Sequence, residues 1–130
     1  MKDSPNLVSN GTKPLLSSKR RFQVWLYTVS HRQLLLRANP DASSEERIEV
    51  LFKGVEWFQL PTVLDGLTVV EDTANAANVS SIPPARDSSR IAFRLEGLNY
   101  RGGVVCLAAL VNVDRRSYSE PSAFASSLML

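Results

Sequence analysis

Residues 21–37, RFQVWLYTVSHRQLLLR, constrain the fold more than any other part of the chain. Bulky residues alternate there on either side of a short polar interruption at Ser30 and His31. A period of two places successive side chains on opposite faces of a β-strand. We expect two antiparallel strands joined by a tight turn. One face of the first strand is expected to carry Phe22, Val24, Leu26 and Thr28, and the other Gln23, Trp25 and Tyr27.

Further segments also have extended patterns. In residues 47–53 we expect Ile48, Val50 and Phe52 to point inward and Glu49 and Lys53 outward. Gly54 interrupts the extended pattern, and residues 55–60 resume it. A glycine at this point indicates a bulge, a bend or a tight reversal. We expect 47–60 and 67–71 to pair as neighbours, with a reversal at Asp65-Gly66 between them. Residues 91–96 form another alternating strand, and 104–113, apolar on both faces, are expected to form one strand inside the sheet.

These patterns predict an all-β fold, either an antiparallel β-sandwich or a partly open barrel of about six or seven strands with little helix. A chain of 130 residues fits one domain. We assign residues 1–18 to a flexible basic leader, 19–118 to a single β-rich domain, and 119–130 to a C-terminal tail. The proline-, serine- and alanine-rich residues 72–89 are expected to form a long loop.

The net charge of +2 is unevenly distributed. Residues 1–21 carry five basic residues and one acidic residue, a net charge of +4, so the rest of the chain carries −2. A basic arm can bind phosphate or other anions. Nucleic acid is a disfavoured partner because the folded part is net acidic.

Few residues are available for metal, redox or membrane functions. The chain has one histidine, His31, and one cysteine, Cys106, which cannot supply a transition-metal site or an internal disulfide. No cofactor is expected. The absence of a secretory signal or a membrane-length apolar run favours a cytoplasmic protein without a membrane span.

His31 is the one candidate for acid–base catalysis. Histidine shuttles protons near neutral pH, and a hydrolase would pair His31 with a serine such as Ser30 or Ser43. Sequence proximity does not place a serine hydroxyl against the imidazole. The chain lacks the G-x-S-x-G motif that marks one class of hydrolases. No catalytic residue is therefore assigned.

The residues best suited to binding lie on the same hairpin. Trp, Tyr and Arg dominate binding hot spots because they combine a large contact area with a polar group. We therefore expect a non-catalytic domain that binds a protein or a small ligand, through a sheet face or the loop at 72–89. The alternatives are a small hydrolase that uses His31, and an anion or nucleic-acid binder that uses the basic arm and the hairpin arginines. A homodimer paired at an edge strand is also compatible with the pattern. The candidate binding residues are Trp25, Tyr27, His31, Arg32 and Arg37.

Overall fold

A computed structural model describes residues 13–72 and 89–128 of the chain. The predicted loop lies mostly outside these residues, as does most of the predicted leader. The elements are β1 (Leu16–Thr28), β2 (Gln33–Ala38), β3 (Arg47–Lys53), β4 (Trp57–Gln59), β5 (Val63–Glu71), β6 (Ile91–Glu96), β7 (Arg101–Cys106), β8 (Ala108–Asp114) and the short helix α1 (Ala125–Leu128). The prediction of an all-β fold is confirmed. β1 begins at Leu16, so it includes residues 16–18 of the segment assigned to the leader.

The eight strands form one antiparallel sheet in the order β4-β7-β6-β5-β1-β2-β3-β8, which is not closed into a barrel. The sheet curls strongly. Phe52 of β3 meets Phe93 of β6 edge to face, with 5.9 Å between ring centroids, although β5, β1 and β2 separate the two strands in the sheet. The concave side, which we call the core face, holds the main apolar cluster. Among its fully buried members are Phe22, Leu34, Leu36, Val50, Phe52, Leu64, Val69, Leu95 and Val104.

Each of two long extended segments is divided into two strands by a shared bend. Gly54, with φ of 63°, separates β3 from β4, and Leu107 separates β7 from β8. A Cβ at Gly54 would lie 2.5 Å from Cδ1 of Leu107, so the exposed Leu107 side chain would have to move, and the positive φ disfavours any residue but glycine. Two hydrogen bonds of 2.9 Å, from Leu107 N to Lys53 O and from Glu56 N to Val105 O, join the segments at the bend. The single strand expected over 104–113 inside the sheet is therefore two strands, and the second of them, β8, lies at an edge of the sheet. The bends raise the strand count to eight.

The expected pairing of 47–60 with 67–71 is wrong. β3 pairs with β2 and β8, whereas β5 pairs with β1 and β6. The expected reversal at Asp65-Gly66 does not occur, because β5 runs through this dipeptide with Gly66 at φ of 86°. The glycine supports an irregularity within the strand instead of a hairpin turn.

The convex side of β1, β2, β3 and β8, which we call the tail face, is covered in part by residues 115–126. Phe124 of this segment packs against a small apolar cluster formed by Leu35 and Leu51, together with Leu26. The segment predicted as a C-terminal tail therefore contacts the body of the domain. In addition to this apolar packing, polar contacts hold the segment against the sheet.

A buried network of charged residues attaches the tail. Arg37, Glu49 and Arg47 lie on the tail face of β2 and β3 and are at most 3% exposed. Glu49 Oε2 accepts a 3.0 Å hydrogen bond from Arg37 Nε and lies 2.8 Å from Arg37 Nη2, while Glu49 Oε1 lies 3.8 Å from Arg47 Nη2. Arg47 Nε also lies 3.3 Å from Oδ1 of Asp114 on β8.

The same network binds the main chain of the tail. Arg47 donates to the carbonyl oxygens of Ser117 (3.1 Å), Glu120 (2.9 Å) and Pro121 (2.9 Å). Glu49 Oε1 accepts from Ser122 Oγ at 2.9 Å and from Ala123 N at 3.0 Å. Buried charges are costly unless their hydrogen-bonding capacity is met. The tail supplies the partners that allow Arg47 and Glu49 to be buried.

Replacing Arg47 with methionine is expected to destabilise the protein by about 3–5 kcal/mol. The change leaves buried Glu49 without one of its cations, and three tail carbonyl oxygens lose their hydrogen-bond donor. Urea unfolding followed by tryptophan fluorescence measures the loss. The matched control is Arg115→Met, which removes an exposed arginine 4.0 Å from Glu45 and is expected to change stability by less than about 0.5 kcal/mol. Equal effects of the two substitutions would contradict the role given to the network.

Candidate functional site

Trp25 and Tyr27 lie on opposite faces of the sheet. The pairing of β1 with β2 shifts between Val24 and Leu26, which leaves Trp25 as an extra residue in β1. Beyond this bulge Leu26 joins the apolar cluster of the tail face, while the Tyr27 ring lies 5.4 Å from the ring of Phe58. The alternation expected from sequence therefore holds as far as Val24, and the bulge reverses it for Leu26, Tyr27 and Thr28.

His31 and Arg32 lie in the turn between β1 and β2 and are exposed. His31 Nδ1 is 2.9 Å from Ser30 Oγ. No carboxylate lies within hydrogen-bonding distance of His31 among residues 13–72 and 89–126. Arg32 has a φ of 52°, and its carbonyl accepts a 2.8 Å bond from Val55 N. Neither side chain contributes to the cavity that Trp25 lines.

Trp25 and Arg37 are brought together on the tail face. The guanidinium carbon of Arg37 lies 4.2 Å from the centroid of the Trp25 ring, in a cation–π stack. Glu49 binds Nε and Nη2 of this arginine, and Arg37 Nη1 donates to Tyr118 O at 3.3 Å. The stack holds the indole beside the tail while 37% of Trp25 stays exposed.

A cavity of about 280 Å³, which we call the Trp25 notch, opens between this stack and the tail. Its floor is the tail face of β1 and β2, and its opposite wall is the tail itself. Tyr118 stands at this wall with 70% of its surface exposed. The lining residues are Trp25, Leu26, Leu35, Arg37, Tyr118, Ser119, Glu120, Pro121, Ser122 and Ala125.

The notch has one charged side chain that is not neutralised by an ion pair. Arg37 is compensated by Glu49, at 2.8 Å. Glu120 is exposed and accepts a 2.9 Å hydrogen bond from Ser117 N through Oε1. Within the part of the chain that the structure describes, no basic side chain lies within ion-pair distance of Glu120. The notch is therefore apolar and aromatic with an acidic rim.

The arginines of the basic arm are engaged within the fold. Arg20 Nη2 donates to the carbonyls of Asn39 (2.7 Å) and Glu46 (2.8 Å), which holds the loop between β2 and β3. Arg21 forms a 2.9 Å ion pair with Asp65. Lys13 and Lys19 are exposed. The arm thus leaves two lysines, and no arginine, as unpaired cations among its described residues.

A larger open groove of about 720 Å³ lies at the other end of β1, β5 and β6. Two of its acidic groups are already paired with arginines, Asp65 with Arg21 at 2.9 Å and Glu96 with Arg94 at 3.0 Å. Ser17 Oγ and Thr68 Oγ1 bond to each other at 3.2 Å. These polar groups satisfy one another, which leaves Lys19 as the unpaired charged side chain among the described residues that line the groove.

Of the five candidate binding residues, the structure brings together Trp25 and Arg37. Tyr27 lies on the core face, and His31 and Arg32 lie in the turn. Sequence reasoning missed the tail residues that complete the notch. The sequence feature that could have indicated them is the alternation of Arg47 and Glu49 with apolar neighbours. Two charged residues on one face of an interior strand require a polar cover.

The described residues provide neither a metal cluster nor an activated thiol. They contain no group of three or more His, Cys, Asp or Glu side chains placed to hold a metal ion, and no helix long and apolar enough to cross a membrane. Cys106 is fully buried in the core, and this burial raises the pKa of its thiol from 9.0 to about 12. The thiolate is the reactive form, so the thiol is unreactive near neutral pH.

We expect Cys106 to resist alkylation by iodoacetamide at pH 8 in the folded protein and to react readily in urea. Because folding raises the thiol pKa, the neutral thiol of Cys106 contributes to the free energy of unfolding. This contribution is fully present below about pH 9 and is lost as the pH rises from about 9 to about 12. The stability difference between the wild type and Cys106→Ala should therefore shrink over that interval. Rapid alkylation without denaturant would contradict this placement of the thiol.

No protein-family model, curated protein or solved structure matches the chain.

Proposed function

We propose that this chain is a non-catalytic protein-binding β domain and that the Trp25 notch is its docking site. The observation that carries the proposal is the partly exposed Trp25, stacked 4.2 Å from the Arg37 guanidinium beside a preformed cavity. Tryptophan and arginine are enriched at hot spots, where an anchor side chain of one protein fills a pocket of the other.

The notch is large enough for a single anchor side chain. At about 280 Å³, it is near the lower end of the range of roughly 300–1,000 Å³ that is usual for small-molecule pockets. It suits one large side chain presented by another protein. The exposed Tyr118 at the rim extends the contact surface beyond the cavity.

The chemistry of the lining specifies the anchor. Leu26, Leu35 and Pro121 favour an aromatic or large aliphatic side chain, which gains free energy by leaving water. The Glu120 carboxylate at the rim favours a lysine or arginine next to that anchor in the partner. We therefore infer a partner segment with an aromatic or aliphatic anchor flanked by a basic residue.

The network of Arg47 and Glu49 supports this role because it holds one wall of the notch in place. A preformed pocket avoids the entropic cost of ordering a loop on binding. The catalytic alternative has less support, since His31 is exposed in a turn and is bonded to the adjacent Ser30. The anion-binding alternative also has less support, since Arg20 and Arg21 are engaged within the fold.

A library of random peptides displayed on phage tests the proposal. Selection on the wild-type protein is expected to enrich an aromatic or aliphatic anchor next to Lys or Arg. Fluorescence anisotropy with the selected peptides should show binding at least tenfold weaker for Trp25→Ala, since a hot-spot residue contributes about 2 kcal/mol or more. Glu120→Gln should weaken binding less and reduce its dependence on salt.

The matched control is Leu98→Ala, which truncates a side chain that is 92% exposed between β6 and β7. This variant is expected to bind the selected peptides within about twofold of the wild type, since surface substitutions far from a contact have small effects. Selected peptides that bind Trp25→Ala as tightly as the wild type would overturn the proposed site.

A further inference from the structure

β8 is an edge strand that exposes both backbone and apolar side chains. It spans the seven residues Ala108–Asp114 and pairs with β3 on one side. Among residues 13–72 and 89–128, no strand pairs with its other side. Leu110 and Val113 are 43% and 49% exposed, and Leu107, immediately before the strand, is 44% exposed. The edge is therefore long and apolar.

Exposed edges of this kind are normally protected. Proteins shorten such strands, place Lys or Pro on them, or cover them, because free N–H and C=O groups recruit other strands. The opposite edge of this sheet, β4, has three residues. β8 has neither Lys nor Pro, and its single charged residue is Asp114 at the end. Such an edge is suited to pairing.

We propose that β8 of a second copy of this chain pairs antiparallel with β8, about a two-fold axis at Val111. An antiparallel pair centred on a residue places side chains of the same face opposite each other, so the core faces of the two copies stay on one side of the joined sheet. Centring on Val111 is the choice that pairs all seven residues from Ala108 to Asp114. The docking surface is separate from the Trp25 notch.

The core-face residues of β8 are complementary to themselves in this register. Val111 meets its own symmetry mate, and Val113 lies opposite Ala109 of the second copy. Ala109 and Val111 already pack against the main apolar cluster while remaining partly exposed. Pairing therefore joins the apolar clusters of the two copies across the shared edge and covers Val113.

The tail-face residues of β8 bring no like charges together. Leu110 lies opposite Asn112 of the second copy, and Asp114 lies opposite Ala108. Asp114 is already paired within its own copy, at 3.3 Å from Arg47 Nε and 3.8 Å from Arg116 Nε, so it brings no unpaired charge to the shared edge. The self-complementarity of β8 in this register is the reason to favour a second copy, because a two-fold contact places the same strand on both sides of the shared edge.

A matched pair of double variants tests both the dimer and its register. Leu110→Lys with Asn112→Lys places like charges opposite each other twice in the dimer. Leu110→Glu with Asn112→Lys places opposite charges at the same two positions. Sedimentation velocity over a range of concentrations is expected to show a dimer for the wild type and for the Glu/Lys variant. The Lys/Lys variant should dissociate at a concentration about tenfold higher or more.

Two further measurements make the result decisive. Trp25→Ala should dimerise as the wild type does, because the notch lies elsewhere on the sheet. Amide hydrogen exchange in the wild type should slow with concentration in residues 108–114, a readout that does not depend on the variants folding. A monomer at all concentrations overturns the proposal. If the β8 amides of that monomer are protected, another segment of the same chain covers the edge. Equal dimerisation of the two double variants overturns the register.

Discussion

The buried contact between Arg47 and Glu49 is the constraint on which the rest of this surface depends. Two opposite charges on one interior strand would be costly beneath a purely apolar cover. The tail resolves this by presenting main-chain carbonyls to the guanidinium and a hydroxyl and an amide to the carboxylate. Most of these contacts are made by main-chain atoms of the tail. They therefore depend more on the path of the tail backbone than on the identity of its side chains.

The candidate site is a consequence of the same network. Glu49 also binds Arg37, and Arg37 in turn stacks against Trp25. The charges that attach the tail therefore also orient the indole at the edge of the notch. This coupling explains why a surface tryptophan, which costs free energy when exposed to water, has a defined position beside a cavity.

The strands and their apolar faces were largely predictable because they are encoded by local alternation. Residues 47–53 and 91–96 show a period of two, and both are strands. Their inward residues pack in the main apolar cluster: Ile48, Val50 and Phe52 in the first, and Ile91, Phe93 and Leu95 in the second. Strand partners were less predictable, because pairing joins residues far apart in the chain. The expected neighbour of 47–60 was wrong for this reason: an Asp-Gly dipeptide favours a turn, yet β5 accommodates it without reversing.

Sequence by itself determined the all-β class and the interruption of the extended pattern at Gly54, because these follow from the chemistry of neighbouring residues. Tertiary structure alone decided which hairpin residues share a face and which charged residues are buried. One extra residue at Trp25 reverses every side chain that follows it in β1, and alternation in a sequence does not show where a strand bulges. The cover over Arg47 and Glu49 comes from residues about 70 positions away, and such long-range contacts form only when the whole sheet is assembled.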